Sequence, residues 1–232
     1  MSRPAHLILL PGLLCDSALW RHQTEHLKDQ IEVTVGDITE NNSIVAMAAR
    51  VLADAPPRFA LAGLSMGGYV AQEIMRQAPE RVERLALVNT NARADTDEQR
   101  TNRAALIKLA DIGSFKGVTP RLLPNLIHPS RMEDPAVAGV VMEMAERVGQ
   151  HAFKRQLEAM MGRKDGRGDL EAIRVPTLII AGRQDLLCPL AMQEEMRERI
   201  PNAKLILVED CGHLVPLERP EATTAVFRYW LS

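Results

Sequence analysis

The sequence predicts an α/β domain: a mainly parallel sheet of about six strands, helices on both faces and an inserted helical cap. Three observations carry that expectation. Short, almost wholly apolar runs alternate with segments of helical period, as expected of strands covered on both faces. The alternation stops between about Ala94 and Arg174, where only helical spacing is found, and then resumes. The length, 232 residues, suits one such domain with an insertion. Residues 1–93 and 171–232 are therefore assigned to the core and 94–170 to the cap.

Each element has a local reason. "HLILL" (6–10) is apolar throughout and is stopped by Pro11-Gly12, which reads as a buried strand. "SALWRHQTEHLKDQ" (17–30) has helical spacing behind a cap at Asp16 or Ser17. "IEVTVGD" (31–37), rich in β-branched residues, is the next strand, and "SIVAMAARVLADA" (43–55) is a helix ended by Pro56-Pro57. "RFALAGL" (58–64), the helix "MGGYVAQEIMRQA" (66–78) and "VERLALVNT" (82–90) continue the alternation. In the insertion, "DEQRTNRAALIKLADI", "DPAVAGVVMEMAERVG" and "HAFKRQLEAMMGRK" keep helical period. Strand "PTLIIAGRQD" (176–185), helix "LAMQEEMRERI" (190–200), strand "AKLILVED" (203–210) and a helix near 219–231 close the chain.

Composition narrows the function. Lys plus Arg number 28 and Asp plus Glu 30, a near balance that speaks against a nucleic-acid or anionic-membrane surface. No apolar run reaches the roughly 18 residues of a membrane span. The amino-terminal segment lacks the long apolar region and cleavage site of a signal peptide, so a cytoplasmic location is expected. Three cysteines, Cys15, Cys188 and Cys211, with no CxxC pair, suit neither a disulfide framework nor a zinc ribbon. They read as small buried apolar groups.

Parallel sheets bind ligands outside the carboxyl ends of their strands. Ser65 stands at such an end, in Gly63-Leu64-Ser65-Met66-Gly67. A serine there can cap the following helix, or it can be a nucleophile lifted out of the sheet on a tight strand-to-helix turn, the G-x-S-x-G arrangement. A nucleophilic serine needs a base. Of six histidines only His213, in "EDCGHLVPLERPE", lies in a loop after a late strand. An imidazole base needs a carboxylate to fix its tautomer. Asp185, in "AGRQDLLCP", lies at another strand end, and Asp210 is a weaker competitor, separated from His213 by only two residues. A helix-terminal N–H at Met66 and the N–H of Leu13, in the loop after the first strand, are the candidate oxyanion donors. Four features fall at four strand ends in the order loop, Ser, Asp, His.

At this point the chain resembles the α/β-hydrolase superfamily, through "LLPGLLCDSALW", the "GLSMGG" turn, "GRQDLLCP" and "CGHLVPLERPE". The resemblance covers nearly the whole chain. It implies Ser65 as nucleophile, Asp185 as acid and His213 as base, backbone donors from Leu13 and Met66, a helical cap, and no metal or organic cofactor. Within the superfamily the chain is similar to small lid-bearing carboxylesterases and 3-oxoadipate enol-lactonases. Perhydrolases and the menaquinone-pathway lyase use similar turns, and a ligand receptor can keep the same fold, so these readings stay open. Three features depart from the family pattern: Pro-Gly in the oxyanion loop, the absence of an antiparallel strand pair before the first strand, and "GDITENNS" after the second. The expected partner is a small-molecule ester or lactone with a small to medium, apolar acyl group. Leu126, Met142, Phe153, Met160 and Met161, with Met144, are the cap's candidates for the pocket roof.

Overall fold

The apolar runs do become strands. The computed structural model describes residues 4–112 and 115–232. Its six strands are β1 (His6–Leu10), β2 (Glu32–Val35), β3 (Phe59–Leu64), β4 (Val82–Val88), β5 (Thr177–Gly182) and β6 (Lys204–Val208). They form one sheet in the order β2-β1-β3-β4-β5-β6, with every pairing parallel. The interior strands β1, β3 and β5 are buried along their whole length, whereas the edge strand β2 alternates between exposed and half-buried residues. An edge strand has one neighbour, and its outer residues meet solvent.

The chain reverses direction across the sheet at β1: β2 lies on one side of it and β3 on the other. Because parallel crossovers are right-handed, the connection from β1 to β2 falls on the opposite face from those that lead from β2 to β3 and from β3 to β4. Such a reversal makes the carboxyl ends of β1 and β3 the place where a ligand is expected. Helix α2 (Ile44–Asp54) packs on α3 (Met66–Gln77), which lies against β1, β3 and β4. Helix α1 (Arg21–Leu27) packs on the last helix. Ser43 caps α2, accepting from the Ala46 N–H at 3.2 Å.

The helix expected over 17–30 is divided. Asp16 accepts from the Ala18 N–H at 2.9 Å and starts a short 3-10 turn over Ser17–Trp20, with α1 following. The strand expected over 82–90 stops at Val88, because Asn89 takes a left-handed backbone (φ 40°) that cannot continue an extended ladder.

Between β4 and β5 the described residues form helices and turns: α4 (Asp97–Ile112), α5 (Val140–Met161) and shorter turns. Within α5 the backbone breaks at Gly149 (φ 76°, ψ 174°), where the sequence also separates into two segments. Only glycine adopts that conformation readily. Asp95 ties this segment to the core. Its wholly buried carboxylate accepts from Arg103 Nε and Arg163 Nη1, both at 2.7 Å, and the Arg163 guanidinium stacks over the Tyr69 ring of α3 at 4.1 Å. After β5 come α6 (Leu190–Arg199), β6, the short α7 (Val215–Glu218) and α8 (Pro220–Leu231).

Candidate active site

The turn after β3 places Ser65 in a left-handed backbone, φ 53° and ψ −115°. A non-glycine residue there stores on the order of 1–3 kcal/mol, which the surroundings must offset. They do so through the backbone. Ser65 N–H donates to Val88 O at 3.0 Å, and Ser65 O accepts from Gly68 N–H at 2.9 Å and from Thr90 Oγ1 at 2.7 Å. The Ser65 side chain makes no cap hydrogen bond to α3, so capping does not account for the residue. Packing explains the glycines. A Cβ on Gly63 would fall on the Gly67 carbonyl, and one on Gly67 on the carbonyls of Leu10 and Pro11. The loop after β1 thus lies directly on the start of α3, with Gly12 beside Ser65.

That loop presents Leu13. Its neighbour Leu14, also left-handed (φ 57°), donates its N–H to Gln156 Oε1 of α5 at 3.1 Å, and Cys15 N–H donates to Gly12 O at 3.1 Å. Among the described residues, neither Leu13 N–H nor Met66 N–H donates to a protein group. Two backbone donors are therefore left beside Ser65, one of them at a helix amino terminus.

Asp185 and His213 meet. His213 Nδ1 is 2.9 Å from Asp185 Oδ2, and both side chains are almost wholly buried. The other carboxylate oxygen accepts from Leu187 N–H at 2.8 Å and Cys188 N–H at 3.1 Å. One oxygen fixes the carboxylate and the other fixes the imidazole, leaving Nε2 as the free ring nitrogen. Asp210 is exposed and faces Arg219 instead. The close approach of the two strand ends needs Gly182, where a Cβ would meet the Gly212 carbonyl.

The remaining histidines are placed otherwise. His6 bonds Thr34 and lies near an exposed Glu32, His22 bonds Thr224 and stacks on His26, His128 bonds Ser130, and His151 is exposed. All three cysteines are buried and free. Burial pushes the Cys15 and Cys188 thiols up to about 12, and moves Cys211 in the same direction. Cys188 lies with Asp185 and His213 in one cluster of possible metal ligands. Its thiol holds its proton, and the other two groups are already bonded to each other, so the cluster reads as an acid–base pair beside an inert thiol.

Two residues with no role in the sequence reading link these parts. Thr90 holds Ser65 O, and Asn89 Nδ2 donates to His213 O at 2.6 Å. Consecutive side chains after β4 thus join the serine turn to the histidine loop. The polar run "NTN" at a strand's carboxyl end was the available signal.

The model of the alpha/beta hydrolase family matches residues 7–226. The chain belongs to that family. Over 237 aligned residues this hydrolase is 27% identical to the pimeloyl-[acyl-carrier protein] methyl ester esterase of Nitrosomonas europaea, covering 95% of this chain and 93% of that protein. A thermophilic esterase from Thermogutta terrifontis superposes with a TM-score of 0.90 at 28% identity, over 100% of this chain and 90% of that one. The enol-lactonase of Burkholderia xenovorans LB400 shares the fold, with a TM-score of 0.84 at 24% identity over 99% of this chain and 92% of that one. The protein is an α/β-hydrolase enzyme.

The cap candidates are dispersed. Leu126 lies against the histidine loop, its carbonyl accepting His213 N–H at 3.0 Å. Phe153 packs on Phe115 (5.3 Å between ring centroids), Met160 is buried, and Met142 and Met161 are half-buried. A cavity of about 310 Å³ opens between Leu19, His22, Val137, Val140, Leu217 and Glu218. None of the six candidates, the buried Met144 included, lines it. Among the described residues no helix is long and apolar enough to cross a membrane.

Proposed function

We propose that this hydrolase cleaves an ester or lactone of a small to medium, apolar acyl group through Ser65, His213 and Asp185. The observation that carries the reading is the 2.9 Å bond between His213 Nδ1 and Asp185 Oδ2, beyond the same carboxyl ends of the parallel strands as the left-handed turn of Ser65. Asp185 holds the proton on Nδ1, so Nε2 is the basic nitrogen. His213 takes the proton of Ser65 as Oγ attacks the carbonyl, and gives it to the leaving alcohol as the tetrahedral intermediate collapses to an acyl-enzyme. Water, deprotonated by His213, then releases the acid and restores Ser65. The N–H groups of Leu13 and Met66 receive the oxyanion in both steps.

Residues 94–170 act as the cap over this site, and Leu126, tied by its carbonyl to the base, forms a wall of the pocket. The Nitrosomonas relative is a methyl ester esterase, which supports an ester as the substrate here. The test is hydrolysis of p-nitrophenyl esters from acetate to decanoate by wild type and Ser65→Ala. Turnover lost in the variant supports acyl transfer, and the preferred chain length sizes the pocket. A folded wild type that turns over neither these esters nor an enol-lactone overturns the reading.

A further inference from the structure

A loop that carries a base has to be stiff, since a displacement of about 1 Å costs on the order of a hundredfold in rate. Residues 212–214 begin with a glycine and lie beyond the end of β6, outside the sheet. Nevertheless every backbone polar group of this turn is taken. Gly212 N–H and Leu214 N–H donate to the two oxygens of Glu218, Oε2 and Oε1, each at 3.0 Å. The carbonyls of Gly212 and His213 accept both hydrogens of Asn89 Nδ2, at 3.0 and 2.6 Å. His213 N–H goes to Leu126 O at 3.0 Å, and Leu214 O accepts from Leu217 and Glu218 N–H, each at 2.9 Å.

Two side chains of opposite polarity supply four of these bonds. Both are fully buried. Glu218, acceptor only, holds the N–H groups on either side of His213, and its Oε2 also receives His128 N–H at 2.7 Å. Asn89 holds the carbonyls, and its Oδ1 accepts from Gly182 N–H at 2.8 Å, on the strand that leads to Asp185. One amide therefore fixes the base loop to the acid's strand, while one carboxylate fixes the same loop to residue 128 of the helical segment.

We propose that Asn89 and Glu218 are positioning residues that clamp the His213 loop so that its imidazole stays on Asp185. The proposal rests on the reading of His213 as the base. Chemistry makes each side chain hard to replace. Aspartate at 89 sets a second carboxylate oxygen against two carbonyls. Glutamine at 218 sets an NH₂ against at least one N–H donor, because both carboxylate oxygens accept. Each change keeps size and reverses polarity, so a packing role and a positioning role separate.

The experiment compares Asn89→Asp and Glu218→Gln with Thr177→Val in the intact chain. Thr177 is at the opposite end of β5 and bonds only Val175 O at 2.9 Å through its hydroxyl. Three quantities are read: thermal midpoint, kcat and KM on a p-nitrophenyl ester, and the low-field proton resonance of the His213 Nδ1–H bound to Asp185. Both clamp variants are expected to lose about ten- to a hundredfold in kcat with KM within about twofold, and to lose or broaden that resonance. Thr177→Val should keep both. Clamp variants that fold yet retain kcat and the resonance overturn the proposal. Should either not fold, Asn89→Ser and Glu218→Asp, which shorten the group without reversing its polarity, are read in the same way. Should wild type not cleave esters, the resonance alone decides, so failure of the proposed function is told apart from failure of the clamp.

Discussion

Thr90 Oγ1 donates to the carbonyl of Ser65 at 2.7 Å, across 25 residues of sequence. The bond holds a backbone that no non-glycine residue adopts without cost (φ 53°). Thr90→Val keeps the shape and removes the donor, at about 1 kcal/mol of stability. If the same bond also aims Oγ, ester turnover falls by about tenfold, the rate equivalent of a similar energy. Steady-state kinetics beside a denaturant melt separate the two effects.

Ser65→Ala is expected to lower kcat by about a millionfold, and Asp185→Asn by about ten-thousandfold, since the amide favours the wrong tautomer of His213. Burst kinetics on an activated ester check both, the alanine variant showing no acyl-enzyme burst.

Gly67→Ala tests the packing of the turn. Its methyl would meet the carbonyls of Leu10 and Pro11, which belong to the strand and loop leading to Leu13. About 1–3 kcal/mol of stability should be lost as the loop moves off α3. Urea unfolding measures the loss, and activity should fall further than stability because the loop carries Leu13, whose N–H is the proposed oxyanion donor.

The buried thiols set an alkaline limit. Cys15 and Cys188 are raised from 9.0 to about 12 by burial, so the folded thiols stay neutral where the unfolded ones ionise. Their contribution to stability is whole below pH 9 and is lost progressively as pH rises toward about 12. The thermal midpoint should fall over that interval, and Cys15→Ala with Cys188→Ala should flatten the fall. Iodoacetamide at neutral pH should label neither thiol in the folded protein, which mass spectrometry reads directly.

Much of this molecule was legible from local patterns. The six runs read as strands became the six strands, and the wholly buried β1, β3 and β5 lie inside the sheet, where a run with no polar face finds neighbours on both sides. Local reading erred at the ends of two elements. The left-handed Asn89 ends β4 two residues early, and the helix expected from residue 17 starts as a 3-10 turn.

What the sequence determined by itself is which residues stand at strand ends: Ser65, Asp185 and His213, with Gly67 and Gly212 where the backbone must come close. Each follows from strand period and turn chemistry within a few residues. Tertiary structure decided which of them touch. It chose Asp185 over Asp210 for His213, and it brought Asn89 to His213 across 124 positions and Gln156 to Leu14 across 142. Such contacts depend on parallel register and on the reversal of strand order at β1. Hydrophobic period specifies that a strand is buried and leaves its neighbour unspecified, so only the assembled sheet could fix them.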